Sequence, residues 1–250
     1  MIDKVSIIIP FYRNLKYLSQ TIKSVQKQTY KNYEIILIYD DEDKSDLKVI
    51  KNKFKNLKKL IIIENKKNLG AAKSRNIGIS KSKGKYIAFL DADDYWKKDK
   101  LHKQISFMKQ NSLDLSYSSY DIISGNFKSK HNVKKTYTYD ELLQKCDLGL
   151  STVIMKSKLS NISIFPPLKT QEDFALWLKF ARKGVKFMGI NTSLVYWRDT
   201  PGSLSKNVIQ KLKDSFKVYY ELENKNLLES MFRVFVLSKN KLKKIYRIKN

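Results

Sequence analysis

Three carboxylates stand within four positions at Asp91-Ala92-Asp93-Asp94, directly after the apolar run Tyr86-Ile87-Ala88-Phe89-Leu90. A run of that length, preceded by Gly84 and closed by acids, reads as a strand buried on both faces. The acids then sit at its carboxyl end, the edge of an open α/β sheet where ligands bind. Carboxylates this close repel one another unless a cation joins them. Their oxygens suit a hard divalent ion, Mg or Mn, that completes its shell with phosphate and water. The competing reading is a solvated acidic turn, and an isolated Asp-x-Asp favours it. A second acidic pair, Glu172-Asp173, opens a helical pattern in which Phe174, Trp177, Leu178 and Ala181 share one face. Acids at a helix start complement the dipole, which lowers basicity, whereas burial beside Phe174 and Trp177 raises it.

The elements that must position these acids follow from hydrophobic patterning. Val5–Ile9 is a short buried strand ended by Pro10, and Leu15, Leu18, Ile22 and Val25 mark a helix over 15–28. Glu34–Ile38 is a second buried strand that runs into Asp40, Asp41, Glu42 and Asp43. A helix over 45–55, a strand at Leu60–Ile63, a helix from Asn68-Leu69-Gly70 to Ser82 and the Tyr86–Leu90 strand complete a β-α-β-α-β-α-β alternation. Such alternation predicts a mostly parallel sheet with right-handed crossovers. Three strands then end in candidate ligand groups on one edge: Pro10-Phe11, Asp40 and Asp91–Asp94. Solvated turns explain that coincidence poorly, and a nucleotide crevice explains it well.

Beyond a helix over 98–111 the pattern changes to smaller mixed elements. Leu115–Ile123 and Leu150–Met155 read as strands, and 124–136 as a polar loop or hairpin. Tyr139–Lys145 and Glu172–Lys183 read as helices, and Val185–Ile190 and Leu194–Trp197 as two short strands. Val208–Leu228 reads as one polar helix. The stretch 227–249 joins Leu228, Met231, Phe232, Val234, Phe235, Val236 and Leu237 to six basic residues from Lys239 to Lys249. That composition fits an interfacial helix on an anionic membrane as well as a helix docked on the core with a basic tail.

Composition bounds the function. The net charge is +26, yet the lysines are spread through every segment, which weakens the case for a polyanion-binding face. Only six arginines occur, and where Lys serves every generic surface role the arginines are expected where a planar bidentate donor is required. One cysteine, Cys146, excludes an internal disulfide and is expected as a small buried hydrophobe. His102 and His131 lack metal-ligand spacing. No apolar run reaches the roughly 18–20 residues of a membrane span, and the start shows no secretory pattern. A cytoplasmic protein, or one peripheral on the inner face of the plasma membrane, is expected.

Several stretches together resemble the family 2 glycosyltransferases with the GT-A fold. They are Val5–Tyr12, Gln28–Glu34, Ala72-Lys73-Ser74-Arg75-Asn76-Ile77-Gly78, Ala88–Asp94, Gln171–Leu178, Tyr196-Trp197-Arg198 and Ser203-Leu204-Ser205. The tail, with Lys217-Val218-Tyr219-Tyr220-Glu221, is similar to the branch that builds teichuronic acid and other envelope polysaccharides. The resemblance implies inverting transfer of a sugar from a nucleotide diphosphate, UDP by family habit, to an acceptor hydroxyl. That acceptor is a glycan, on a lipid carrier if the basic tail meets a membrane. The implied layout is a GT-A domain over 1–205, with a nucleotide-sugar half at 1–97 and an acceptor half at 98–205, followed by a helical basic extension over 206–250.

The resemblance also implies roles. Asp93 holds the divalent metal, Asp91 faces the ribose and donor sugar, and Asp94 orients the sugar or the metal shell. Pro10 and Phe11 frame the uridine, and Asp40 accepts from the base, with Asp41 left as a plain surface acid. Arg75 reaches the diphosphate or the base edge, unless it is only a helix-surface charge. Arg198 meets the diphosphate or the acceptor. Asp173 is the general base, Glu172 bonds the acceptor or donor sugar, and Trp197 stacks on a sugar unless it packs in the core. Two other classes compete on composition alone. A basic nucleic-acid-binding module would show a zinc, RNP or helix-turn-helix pattern, and none is present. A sugar nucleotidyltransferase would want a Gly-rich loop after strand one, where Pro10-Phe11-Tyr12-Arg13-Asn14 stands.

Overall fold

The computed structural model describes residues 2–145, 147–200 and 206–249, with backbone alone for 241–249. The expectations for Cys146 and for Ser203-Leu204-Ser205 lie outside the described residues.

The expected alternation forms. Strands β1 (Val5–Phe11), β2 (Tyr33–Tyr39), β3 (Leu60–Glu64) and β4 (Tyr86–Phe89) pair in parallel in the order β3-β2-β1-β4. Helices α1 (Leu15–Gln26), α2 (Ser45–Lys53) and α3 (Ala71–Lys81) make the crossovers. The sheet then continues through β8 (Ile154–Lys156), β6 (Leu115–Ser124), β9 (Phe187–Arg198) and β5 (Tyr95–Trp96), with β7 (Phe127–His131) hairpinned onto β6. β4 is antiparallel to β8, β8 antiparallel to β6, and β6 parallel to β9. β1, β2, β4, β6 and β9 therefore run the same way, and their carboxyl ends share one edge.

Both faces of the sheet are covered, which is why β1 and β2 are apolar without alternation. On one face Val5, Ile7 and Ile9 pack with Leu18, Ile22 and Val25 of α1 and with Leu101, Ile105 and Met108 of α4 (Lys100–Gln110). On the other, Ile8, Ile87 and Phe89 pack with α3, with α5 (Tyr139–Gln144) and with α6 (Glu172–Arg182). α3 lies so close that a Cβ at Gly78 would stand 2.5 Å from Ile8 Cγ2. A side chain there would push α3, and with it Arg75, off the sheet.

Three expected elements come out differently. Leu150–Thr152 is a 3₁₀ turn, and only Ile154–Lys156 is strand. The two strands expected over 185–197 are one, because the exposed Asn191 and Thr192 are absorbed at an irregular register against Ser118 and Ser119 of β6. The single helix expected over 208–228 breaks. α7 (Val208–Lys217) passes into a π turn over Val218–Leu222, residues 223–226 form the bend, and α8 (Leu227–Lys249) follows. Asn224 in the bend has φ 51°, which no helix continues through. Val218, Tyr219 and Leu237 join the second core cluster, so residues 206–240 are packed onto the domain.

Candidate active site

The shared sheet edge gathers the acids that follow the strands. Asp91 follows β4 with a side chain 32% exposed. Asp93 is half-buried, and Thr200 Oγ1 donates to its Oδ2 at 3.0 Å. Burial, and then the charge of Asp91, push the Asp93 carboxyl above its usual range. Asp94 is buried at 1% exposure. Its Oδ2 accepts from Ser151 Oγ at 2.6 Å and its Oδ1 from Arg198 N at 2.9 Å, so it ties the 3₁₀ turn and β9 to the acidic loop. Burial pushes its carboxyl well up, and the charges of Asp91 and Asp93 add to that. Asp94, expected to orient the sugar or the metal shell, has both oxygens accepting from within the fold.

Arg75 is the centre of the arrangement. It lies on α3 at 5% exposure, not on the helix surface. Its Nη2 donates to Asp91 Oδ1 at 2.8 Å and its Nη1 to Glu172 Oε1 at 2.5 Å. Burial works against its charge, but Asp91 and Glu172 outweigh burial, and the guanidinium stays protonated. One planar fork thus joins the end of β4 to the start of α6. Glu172, expected to bond the acceptor or donor sugar, is 8% exposed and gives Oε1 to this pair.

Asp173 stands beside this bridge, partly exposed, with Oδ1 accepting from Phe174 N at 2.7 Å. Burial and then the Glu172 charge raise its carboxyl to about 7. A carboxylate with that affinity for protons is matched to general-base work near neutral pH. Gln171, just before the pair, holds φ 64° and ψ 11°, a left-handed conformation uncommon for a non-glycine residue. α7 supports this turn. Thr170 N and Oγ1 both donate to Asp214 Oδ2, at 2.8 and 2.9 Å, and Gln171 Nε2 donates to Ser215 Oγ at 2.9 Å.

At the far side of the edge Asp40 is 3% exposed. Asn65 Nδ2 and Leu69 N donate to its Oδ1, at 2.7 and 2.8 Å, and Gly70 N to its Oδ2 at 2.8 Å. Asp40 therefore shapes the loop that enters α3. Pro10 is half-buried at the end of β1, but Phe11 is fully buried and stacked on Tyr39 at 5.4 Å. Both residues, expected to frame the uridine, stand at the end of β1 on the shared edge, with the Phe11 ring turned into the core. Asp41, expected on the surface, is 4% exposed and accepts from Arg13 Nε at 2.8 Å; that bond, more than burial, sets its carboxyl below the usual range.

Arg198 closes the edge. Its Nε donates to Asp93 O at 2.8 Å and its Nη2 to Gln20 Oε1 at 2.8 Å. Its guanidinium lies 4.4 Å from the Tyr17 ring centre and 5.1 Å from that of Tyr95. Tyr95 stacks on Tyr196 at 4.6 Å, and Lys97 and Lys128 cover the next face. This alternation of cation and ring fixes Arg198 beside Asp93. Trp197 is half-buried against the first core cluster.

Among the described residues no three His, Cys, Asp or Glu side chains are grouped to hold a metal ion by themselves. The half-buried Asp93 carboxylate, with Oδ2 accepting from Thr200 Oγ1, is an oxygen donor of the kind a hard divalent ion takes when phosphates and water complete its shell. Residues that patterning did not single out are Ser151, Thr200, Tyr17, Tyr95 and Asn65. Asn65 alone had a usable signal, a polar residue directly after a parallel strand. The others meet the site only through tertiary packing.

The family model "Glycosyl transferase family 2" matches residues 6–165. A Bacillus subtilis (strain 168) protein named for teichuronic acid biosynthesis, TuaG, is 30% identical over 243 residues, 96% of each chain. Escherichia coli WfaP, named a UDP-Glc:alpha-D-GlcNAc-diphosphoundecaprenol beta-1,3-glucosyltransferase, is 40% identical over 216 residues, 84% of this chain and 83% of WfaP. Among solved structures, S. aureus TarS 1-349 in complex with UDP-GlcNAc superposes with a TM-score of 0.73 at 23% identity. That likeness covers 88% of this chain, and the chain spans 65% of the TarS one.

Proposed function

The chain belongs to glycosyl transferase family 2 and is a glycosyltransferase of the GT-A fold, and from that premise we propose an inverting transfer from a UDP-sugar to an acceptor hydroxyl in cell-surface polysaccharide synthesis. The name of WfaP supports a UDP donor and a lipid-diphosphate acceptor. The observation that carries the mechanism is the Arg75 fork, which holds Asp91 of the acidic loop and Glu172 beside Asp173 within hydrogen-bonding distance of one side chain.

In this reading Asp93 would hold a divalent ion, Mg or Mn, which supplies Lewis-acid neutralisation of the leaving diphosphate. Asp91 bonds the donor through the oxygen that Arg75 leaves free. Pro10 and the Asp40-braced loop border the nucleoside, and Arg198, locked between tyrosines, adds positive charge beside Asp93. Asp173 accepts the proton of the acceptor hydroxyl. The acceptor oxygen bonds the anomeric carbon from the face opposite the diphosphate, and the carbon–oxygen bond to the diphosphate breaks with its electron pair.

A screen of UDP-, GDP- and dTDP-sugars, with and without Mg or Mn, tests this reading. Turnover should appear with a UDP-sugar and require the metal. Asp93→Ala should weaken metal-dependent donor binding on the order of tenfold or more. Metal-independent turnover, or turnover that Asp93→Ala leaves untouched, rules the assignment out.

A further inference from the structure

We propose that the α7–α8 hairpin is a docking surface for an anionic lipid bilayer, with the exposed apolar rows of both helices entering the headgroup region. The exposed large hydrophobics of the chain concentrate here. Val208, Ile209, Leu212, Tyr220 and Leu222 lie on the first arm, and Leu227, Leu228, Met231, Phe232 and Phe235 on the second. On α8 the division is by face. Ser230 is fully buried, and Val234 and Leu237 pack into the second core cluster. Leu228, Met231, Phe232 and Phe235, spaced three and four apart, are 57–79% exposed, with Phe232 bordering a groove against Leu143 and Gln144 of α5. A soluble surface does not usually keep so many large apolar groups together.

Charge selects the occupant. Residues 206–250 contain twelve Lys or Arg and four Asp or Glu. Asp214 and Glu223 are buried, at 2% and 6%, and Glu229 is held by Arg233 and Lys225, which leaves Glu221 as the one exposed acid of the hairpin not so engaged. Exposed Lys213, Lys217 and Lys239 flank the apolar rows, and Lys241, Lys243, Lys244, Arg247 and Lys249 follow in the last turns of α8. An apolar row with a basic border, on helices that are otherwise polar, is the pattern of a segment lying in the membrane interface. A second copy of the chain would set a like basic border against this one, against Coulomb repulsion. A nucleic acid would answer the lysines and leave Phe232 and Phe235 in water. Among the described residues no helix is long and apolar enough to cross a membrane, so the contact is peripheral.

The inference deepens the lipid-linked-acceptor reading and rests on it for why the enzyme meets a bilayer. Lipid binding is measured without donor or acceptor, so its failure is separable from failure of that reading. The full chain is sedimented with vesicles of phosphatidylcholine alone or with added phosphatidylglycerol, at low and physiological salt. Wild type should sediment with the anionic vesicles only, less so as salt rises. Phe232→Ser/Phe235→Ser should lose roughly tenfold or more in vesicle partition, and Lys213→Glu/Lys217→Glu/Lys239→Glu at least as much at low salt. Both variants change exposed side chains, and circular dichroism and turnover on a water-soluble acceptor should match wild type. Wild type that ignores anionic vesicles, binds neutral ones equally, or loses nothing in the Phe variant overturns the proposal. So does a dimer that the Phe variant breaks without any vesicle binding.

Discussion

Asp173→Asn is expected to lower transfer about 10³-fold while donor and metal binding persist, the range measured when a positioned general base is removed. Asn keeps the size of the side chain and loses the proton acceptor. The wild-type pH profile carries the same signature. Burial and Glu172 raise the Asp173 carboxyl to about 7, so the ionised, competent form is lost as pH falls through that value. Turnover at low substrate should therefore fall tenfold per pH unit below about 7 and level off above it. The stability consequence has the opposite sign. A carboxyl raised above its ordinary value of 3.8 binds its proton better folded than unfolded, so ionisation lowers stability as pH rises from about 4 to about 7. At pH 8 the Asn variant should melt no lower than wild type, which separates lost chemistry from a lost fold. A profile flat from pH 5 to 8, or an Asn variant with near wild-type turnover, would remove Asp173 from the base role.

Arg75→Met is the second large effect, and it acts on the fold first. The substitution leaves Asp91 and Glu172 facing each other with no cation between them. Breaking a buried pair by removing one partner costs about 3–5 kcal/mol. Because Asp91 is about one-third exposed, water relieves part of this, and the lower end of that range is expected. For a chain of this size that corresponds to a melting temperature lower by roughly 10 °C. Transfer should be lost as well, since Asp91 and the start of α6 are no longer held together. Arg75→Met/Glu172→Gln should regain much of the stability and little of the activity, because the second change removes the stranded charge but not the missing fork. An unchanged melting temperature in Arg75→Met would show that the bridge does not hold the two segments together in solution.

What patterning could and could not reach follows from the physics of each element. The parallel half was legible because a strand buried on both faces is apolar throughout and its crossover helix is apolar every third or fourth residue. The acidic ends of β2 and β4 marked the edge for the same reason. The fates of the acids were not legible. Asp40, Asp93 and Asp94 look alike in sequence, yet what separates them is which donor meets each oxygen: Leu69 N and Gly70 N for Asp40, Ser151 Oγ for Asp94, Thr200 Oγ1 for Asp93. Those donors come from up to about a hundred residues away. Arg75 was legible as a rare arginine on α3, but its partner Glu172 lies 97 residues on, and only the fold, with both helices on the second core cluster, brings them together. Patterning splits the long β9 in two at the polar Asn191 and Thr192, because local polarity does not distinguish a loop from a bulge.

The left-handed turn at Gln171 gives the C-terminal hairpin a second meaning. A residue at φ 64° stays there only if its neighbours insist, and here the insistence comes from Asp214 and Ser215 on α7. The turn that leads into Asp173 is thus braced from more than forty residues downstream. Asp214→Ala/Ser215→Ala would retain Asp91, Asp93, Arg75 and Asp173 and should still bind donor. It would lose transfer, because the turn before Asp173 could relax and the carboxylate would swing with it. The same helix that supports this turn also carries Ile209 and Leu212 on its outer side. A partner gripping that outer side would hold the same helix that anchors the turn before Asp173.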